Sequence, residues 1–247
     1  MSIFFRIISL LTILGALVII FAGPISRLGV WHWGTALSMM RTSVPVLLGG
    51  AGLSLLGVVI GIFTKRHSLI VPGLSATILV GGLVFMLSGM RSSGGENPIH
   101  DLTTDFSNPP AISAAANADR KNPASYVGSN PAKRDGGETV RQVQERIYPD
   151  LQPLFVRKDP AIVFDAALAT AKDLGFAIVH SDKDNGIIEA TETSLWFGFI
   201  DDFIIRVRPE ETGTRIDFRS KSRVGRSDLG ANIKRIRTYR EKLLAQL

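Results

Sequence analysis

Three long stretches without a charge dominate the first third of the chain. Ile7–Phe21 is an apolar run whose polar members are Ser9 and Thr12, and Ile3–Phe5 extend it past Arg6. At about 1.5 Å per residue, a helix over Ile3–Ala22 crosses a hydrocarbon core of roughly 30 Å. Val44–Phe63 is a second such run, with Pro45 near its start, where a missing N–H costs least. Leu69–Met90 is a third. The pattern predicts three transmembrane helices. A cleaved signal peptide is the rival reading of the first run. The run is long for such a segment, however, and Gly23-Pro24 makes a poor cleavage site, so a retained helix is expected.

Between the first two runs lies Ile25–Ser43, which carries Trp31-His32-Trp33. Tryptophan favours the headgroup level, so this segment is expected to lie along the interface, with His32 an interface residue rather than a metal ligand. Gly57 and Gly61 in the second run have the GxxxG spacing that lets helices approach closely. Packing within one three-helix bundle is the preferred reading, and self-association is the weaker one. The second and third runs contain no ionisable group, which argues against a transport path through them.

Beyond residue 95 the pattern changes to short alternating segments separated by turn residues. Residues 107–138 are rich in Pro, Ala, Ser, Asn and Gly and read as an extended linker. Thr139–Ile147 has helical spacing. Asp159-Pro160 is a helix start, Val163, Ala166, Ala167, Thr170, Ala171 and Leu174 form its apolar stripe, and Gly175 is its stop. Phe176–His180 and Ile187–Thr193 flank the turn Lys183–Gly186, with Leu195–Ile200 as a possible continuation. Phe203–Arg208 and Thr214–Lys221 form a second hairpin, and Asp228 caps a last helix. The expected architecture is residues 1–95 as a three-helix transmembrane region, 96–138 as linker, and 139–247 as an α+β domain. In that domain, two helices cover one face of an antiparallel sheet of four or five strands.

Charge sharpens the partition. The chain has 247 residues, 28 Lys+Arg against 22 Asp+Glu, and no Cys. Residues 1–95 hold six bases and not one acid, so the net charge of +6 belongs to them. The remainder is formally neutral, which removes nucleic acid as a reading of the basic balance. The charge rule for membrane orientation gives equal counts on the two sides. The dense Lys65-Arg66 pair in a short loop favours a multi-pass placement with a cytoplasmic N-terminus and an extracytoplasmic C-terminal domain.

The second hairpin shows where charge lies within the domain. If Val207 pairs with Ile216, Arg208 faces Arg215 and Arg206 faces Asp217. One face is then core and the other a basic strip, continued by Arg219, Lys221, Arg223 and Arg226-Ser227-Asp228. Internal salt bridges and ordinary solvated surface account for such a strip most simply. The functional reading is an anion site made by Arg206, Arg208, Arg219, Arg223, Arg226 and Ser227, with Asp228 already occupying the adjacent helix pole. A third reading turns the strip toward anionic headgroups. Catalytic candidates are sparse. His100, Asp101 and Asp105, or the Asp201-Asp202 pair, could serve a hydrolase or lipid-modifying enzyme, but turn chemistry explains them as well. No nucleophile elbow or phosphate loop is present, and neither a metal site nor a cofactor is expected.

Residues 98–105 (PIHDLTTD), Asn108-Pro109-Pro110, Tyr148-Pro149-Asp150, 196–209 (WFGFIDDFIIRVRP) and 215–236 (RIDFRSKSRVGRSDLGANIKRI) resemble the bacterial family catalogued as domain of unknown function 1499. Gly23-Pro24 and Leu28–Trp31 resemble its membrane-anchored branch. The resemblance implies no catalytic role. It implies an anchored or exported domain and draws attention to His100, Asp101, Asp105, Asp201, Asp202, Arg206, Arg208, Arg223, Arg226, Ser227 and Asp228. The expected protein is a non-enzymatic membrane protein of the cell envelope, whose domain binds an anionic ligand, lipid headgroup or envelope partner through its Arg-rich face. An envelope hydrolase and a structural subunit of a membrane assembly are the alternatives.

Overall fold

The structure is a computed structural model, and it describes residues 2–92, 97–133 and 136–247. The chain folds as two compact units. One is Met1–Ser92 with Leu195–Gly198, and the other is the remainder.

The first unit contains α1 (Ser2–Arg27), α2 (Trp33–Phe63) and α3 (His67–Ser92). All three are long and apolar enough to cross a membrane. They pack through small residues: a side chain added at Gly57 would meet Phe5 of α1, one at Gly61 would meet Ile70 and Leu69, and one at Gly73 would meet Val58 and the Ser54 carbonyl. Ser9 and Ser54 join through their hydroxyls at 3.1 Å. The GxxxG pair thus serves contacts inside the bundle. Large apolar side chains such as Leu10, Leu14, Ile78 and Phe85 point outward, as lipid-facing positions do.

The segment Ile25–Ser43, expected along the interface, is instead mostly helical. α1 runs to Arg27, and α2 begins at Trp33 after a short turn. His32 is the reason α2 starts there, since its Nδ1 accepts from the Gly34 amide at 3.1 Å. Pro45 consequently lies well inside α2 rather than at its first turn.

Pro24 shapes the end of α1. It has no N–H to return to the Ile20 carbonyl. The indole of Trp196, which belongs to this same unit, donates Nε1–H to that carbonyl at 2.9 Å. Gly23 makes the approach possible, because a Cβ there would fall 2.5 Å from the Trp196 ring. Arg27 Nη1 donates to the Leu195 carbonyl at 3.0 Å.

The second unit contains, in chain order, β1 (Asp101–Thr103), β2 (Pro131–Lys133), β3 (Gly136–Thr139), α4 (Val140–Ile147), β4 (Leu154–Val156), α5 (Pro160–Asp173), β5 (Ala177–Asp182), β6 (Ile187–Thr193), β7 (Ile200–Glu210), β8 (Gly213–Ser222) and α6 (Ala231–Gln246). Strands β1-β8-β7-β6-β5 form an antiparallel sheet in that order, and β4 also pairs with β8. Local chemistry sets the helix starts. Thr139 and Gln142 form a capping box on α4, and Asp159 accepts from the Ala161 amide ahead of Pro160 on α5. The turn before β6 needs Gly186, which has φ of 65° and would drive a side chain into the Val207 carbonyl.

Val207 does lie opposite Ile216, and with it Arg208 lies opposite Arg215 and Arg206 opposite Asp217. One face carries Phe203, Ile205, Val207, Ile216, Phe218, Ile188 and Ala190. It packs with Val163, Phe164, Ala167, Ile236, Tyr239 and Leu243 of α5 and α6 into the main core. The expected antiparallel sheet of four or five strands is present, and among the described residues short edge pairings bring it to six. The added strands, β1 and β4, are three residues long and lie antiparallel to β8.

The stretch read as an extended linker departs further from its sequence pattern. Its residues Asp101–Thr103 form β1, and residues 104–127 lie against the other face of the sheet, held by hydrogen bonds to β6, β7 and β8. Its low apolar content is no obstacle, because charged groups on the sheet supply the stabilising contacts.

Candidate functional site

The polar sheet face is built by strand alternation. Lys221, Arg219, Asp217 and Arg215 of β8 share it with Asp202, Arg206 and Arg208 of β7. Asp101 joins opposite Lys221, and Glu189 joins opposite Ile204. Every one of these charges except Arg208 and Arg215 is buried.

At one end, Asp101 accepts from Arg219 Nε and Nη2 at 2.9 and 3.0 Å and from Lys221 Nζ at 2.8 Å. The remaining donors of these cations reach backbone carbonyls of the overlying segment. Arg219 donates to Pro110 and Ala124, and Lys221 to Ser125. Burial pushes the Lys221 ammonium below its ordinary value, and the charge of Asp101 opposes that shift. Beside them, Asp202 accepts from Arg223 at 2.8 Å and from Arg120 at 2.7 Å. Glu189 accepts from the amides of Ser113 and Ala114 at 2.9 Å and of Ala115 at 3.3 Å. The sheet thus reads the backbone of residues 105–127 through charge-assisted hydrogen bonds.

At the other end, three guanidinium groups converge on two carboxylates. Asp105 Oδ2 accepts from Arg206, Arg208 and Arg215 at 3.1, 3.2 and 3.2 Å. Asp217 accepts from the same three at 3.0, 2.8 and 2.9 Å. Asp105 Oδ1 takes the amides of Ser107 and Asn108 and the Ser107 hydroxyl. Burial alone would raise the Asp105 carboxyl. The Asn108 and Ser107 hydrogen bonds, with Arg215 and Arg206, more than reverse this and hold it below the usual carboxylate value. Both carboxylates are almost wholly buried. The Arg208 and Arg215 side chains are 34% and 23% exposed, so the surplus positive charge comes out on that pair. Arg208 Nε is buried and meets no acceptor among the described residues. Phe155, opposite Arg215 on β4, is exposed, with the Arg215 guanidinium 5.7 Å from its ring centre. Arg157 and Lys158 are exposed just beyond β4, and Glu210 and Glu211 are the acids at the neighbouring hairpin tip.

The residues singled out from the sequence therefore divide. Arg206, Arg208, Arg219 and Arg223 do share one face, but Arg206 and Arg219 are buried in ion pairs, with Arg223 nearly so, and only Arg208 retains substantial exposure. Arg226 and Ser227 do not join them. Arg226 is exposed, and its carbonyl accepts from His100 Nδ1 at 3.1 Å, which places the proton on Nδ1. Ser227 donates to the Asn97 carbonyl. Asp228 accepts from the Gly230 and Asn232 amides at 2.9 Å, so the start of α6 is filled by a carboxylate. Burial raises that carboxyl above its ordinary value, with the Gly230 and Asn232 amides opposing.

Adjacent residues of a strand face opposite ways, and this separates the enzyme candidates. Asp202 points to the polar face, whereas Asp201 pairs with Arg235 of α6 on the helix side at 2.7 Å. No hydrogen bond or ion pair joins His100 to Asp101, Asp105, Asp201 or Asp202 among the described residues. Burial lowers the His100 pKa, with the Arg226 carbonyl and the Asp101 charge opposing. Among the described residues no group of three or more His, Asp or Glu side chains is gathered as a metal site.

Two members of the network are not visible as such in the sequence. Glu189 sits in an alternating strand, where an outward glutamate reads as solvated, and only the overlying segment makes it buried. Arg120 lies in the Ala- and Asn-rich stretch, with no periodicity to mark it.

Residues 101–243, more than half of the chain, match the family model described as "Protein of unknown function (DUF1499)". No curated protein matches the chain.

Proposed function

The chain belongs to the DUF1499 family, and from that premise we propose that it is a multi-pass membrane protein whose α+β unit binds an anionic group at the Arg208/Arg215 edge of its sheet. One observation carries the reading. Three guanidinium groups share two buried carboxylates, and the uncompensated charge belongs to the two that are part exposed. A phosphate or carboxylate accepts from paired guanidinium groups with good geometry. Arg206 supports the pair from beneath, fixed by both aspartates and by the Asn108 carbonyl. Exposed Phe155 gives the edge an apolar neighbour of the kind that suits a lipid headgroup region.

In this reading the N-terminus and the Lys65-Arg66 loop are cytoplasmic, the α+β unit is extracytoplasmic, and the host membrane is the bacterial inner membrane. The positive loop supports that orientation. A reporter fused after Leu247 tests it, since a cytoplasmic signal overturns the placement.

Binding is tested with the full chain in nanodiscs of zwitterionic lipid, titrated with inorganic phosphate and, separately, mixed with vesicles containing phosphatidylglycerol. Loss of either response in Arg208→Gln/Arg215→Gln identifies the source of the anion. Unchanged responses in that variant remove the proposal. The buried commitments of Asp101, Asp105, Asp201 and Asp202 favour binding over hydrolysis.

A further inference from the structure

The polar face holds a second place where cationic donors outnumber acceptors, away from the Arg208/Arg215 edge. Arg120 rises from the segment that covers the sheet, and its side chain is only 7% exposed. Its Nη2 donates to the Ala115 carbonyl at 2.9 Å and to Asp202 Oδ2 at 2.7 Å. Its Nε and Nη1 are buried and meet no acceptor among the described residues.

The acceptors nearby are already engaged. Asp202 Oδ1 takes Arg223 Nε and Nη2 at 3.0 and 2.8 Å. Asp101 takes Arg219 and Lys221, with the Val127 amide on Oδ2 as well. Glu189 is spent on three backbone amides. Asp201 faces the other side of the sheet, and Asp119 is exposed, with no ion pair to Arg120 among the described residues. Four cations (Arg120, Arg219, Lys221 and Arg223) therefore face three carboxylates beneath the cover (Asp101, Asp202 and Glu189), an excess of one positive charge. Burial lowers the Lys221 pKa, Asp101 opposes the shift, and the Arg219 and Arg120 charges add smaller lowering contributions.

Uncompensated buried cations are costly, and a buried N–H without an acceptor adds to that cost. A protein can meet both by enclosing a counterion. We propose that the guanidinium of Arg120 binds a small monovalent anion, of which chloride is the natural probe, enclosed between the 113–127 segment and the Asp202–Arg223 end of the sheet. The anion accepts from Nε or Nη1, the donors left by Ala115 and Asp202. Enclosure and the modest charge surplus select against a large or strongly hydrated ligand. This site is independent of the Arg208/Arg215 edge, which is open to solvent and shares none of its residues.

Thermal unfolding of the full chain in detergent, with chloride exchanged for gluconate at constant ionic strength, reads the site. Chloride is expected to raise the midpoint saturably in the unaltered chain and in Arg208→Gln/Arg215→Gln. In Arg120→Gln the dependence is expected to vanish. Equal midpoints in chloride and gluconate, or an unchanged chloride response in Arg120→Gln, overturn the proposal. Should Arg120→Gln fail to fold, crystals of the unaltered chain soaked in bromide decide. Anomalous density within hydrogen-bond distance of Arg120 Nε or Nη1 is the expected result, and a water or nothing in that place overturns it.

Discussion

Arg208 and Arg215 stand directly opposite each other across β7 and β8, and both reach the same two carboxylates, Asp105 and Asp217. Two like charges in direct cross-strand register destabilise a bare sheet. Here the shared aspartates hold them together. Asp105 comes from the segment after β1, so closing that segment over the sheet is what completes the arrangement.

The shared pair makes the first prediction. Arg208→Gln/Arg215→Gln should leave the fold intact, because both side chains are part exposed and Arg206 still satisfies Asp105 and Asp217. The expected stability loss is about 1–3 kcal/mol, above that of an exposed pair because Asp105 and Asp217 are buried, and below that of a fully buried pair because the two arginines are part exposed. Anion binding, which depends on charge-assisted hydrogen bonds of about 1.5–3 kcal/mol each, should fall roughly tenfold or more. Vesicle co-sedimentation and a melting curve on the same sample separate the two effects.

The Asp101 cluster is expected to behave oppositely. Asp101→Asn leaves Arg219 and Lys221 buried without a counter-charge. Removing one partner of a buried pair costs about 3–5 kcal/mol. Adding Lys221→Met should restore part of that loss, since one uncompensated cation is then gone. Denaturant unfolding of the single and double variants tests this. A double variant no more stable than Asp101→Asn would mean that Lys221 is not held by Asp101.

Much of this is legible in the chain. The apolar runs predict α1–α3, and the period-2 alternation of 203–208 and 214–221 predicts the hairpin and the two faces of its strands, with the register following once Val207 is set opposite Ile216. Alternation does not say what covers the polar face. Residues 107–127 lack the apolar surface by which a packed segment is recognised. They are held by carbonyls that accept from Arg206, Arg219 and Lys221, and backbone acceptors leave no trace in sequence. The basic strip reads as a free surface for the same reason, since its counter-charges Asp101 and Asp105 lie far from it along the chain.

Within the helical unit, Gly23 and Trp196 should prove interdependent. Gly23→Ala places a methyl against the indole and should displace it from the Ile20 carbonyl. The Trp196 emission should shift on that change, read in a background with Trp31 and Trp33 replaced by Phe. Trp196→Phe removes the N–H and should cost about 0.5–1.5 kcal/mol, the worth of one hydrogen bond. Emission unaltered by Gly23→Ala would show that the indole does not occupy this slot.

His100 supplies the pH dependence. Burial holds its pKa below the ordinary histidine value of 6.5 in the folded state. Above that value both folded and unfolded chains carry a neutral imidazole, and the group contributes nothing to the pH dependence. As pH falls through about 6.5, the unfolded chain takes up the proton first, so stability declines until the folded-state value is passed. The Asp105 carboxyl, held below its ordinary value, adds a second loss at lower pH, beginning near the unfolded carboxylate value and growing as pH falls through the folded one. The two windows separate by substitution. His100→Gln should flatten the decline between about pH 6.5 and 5 while leaving the steeper acid loss in place. Melting midpoints across roughly pH 4–8 provide the measurement. A His100→Gln profile parallel to that of the unaltered chain would place the acid sensitivity on another group.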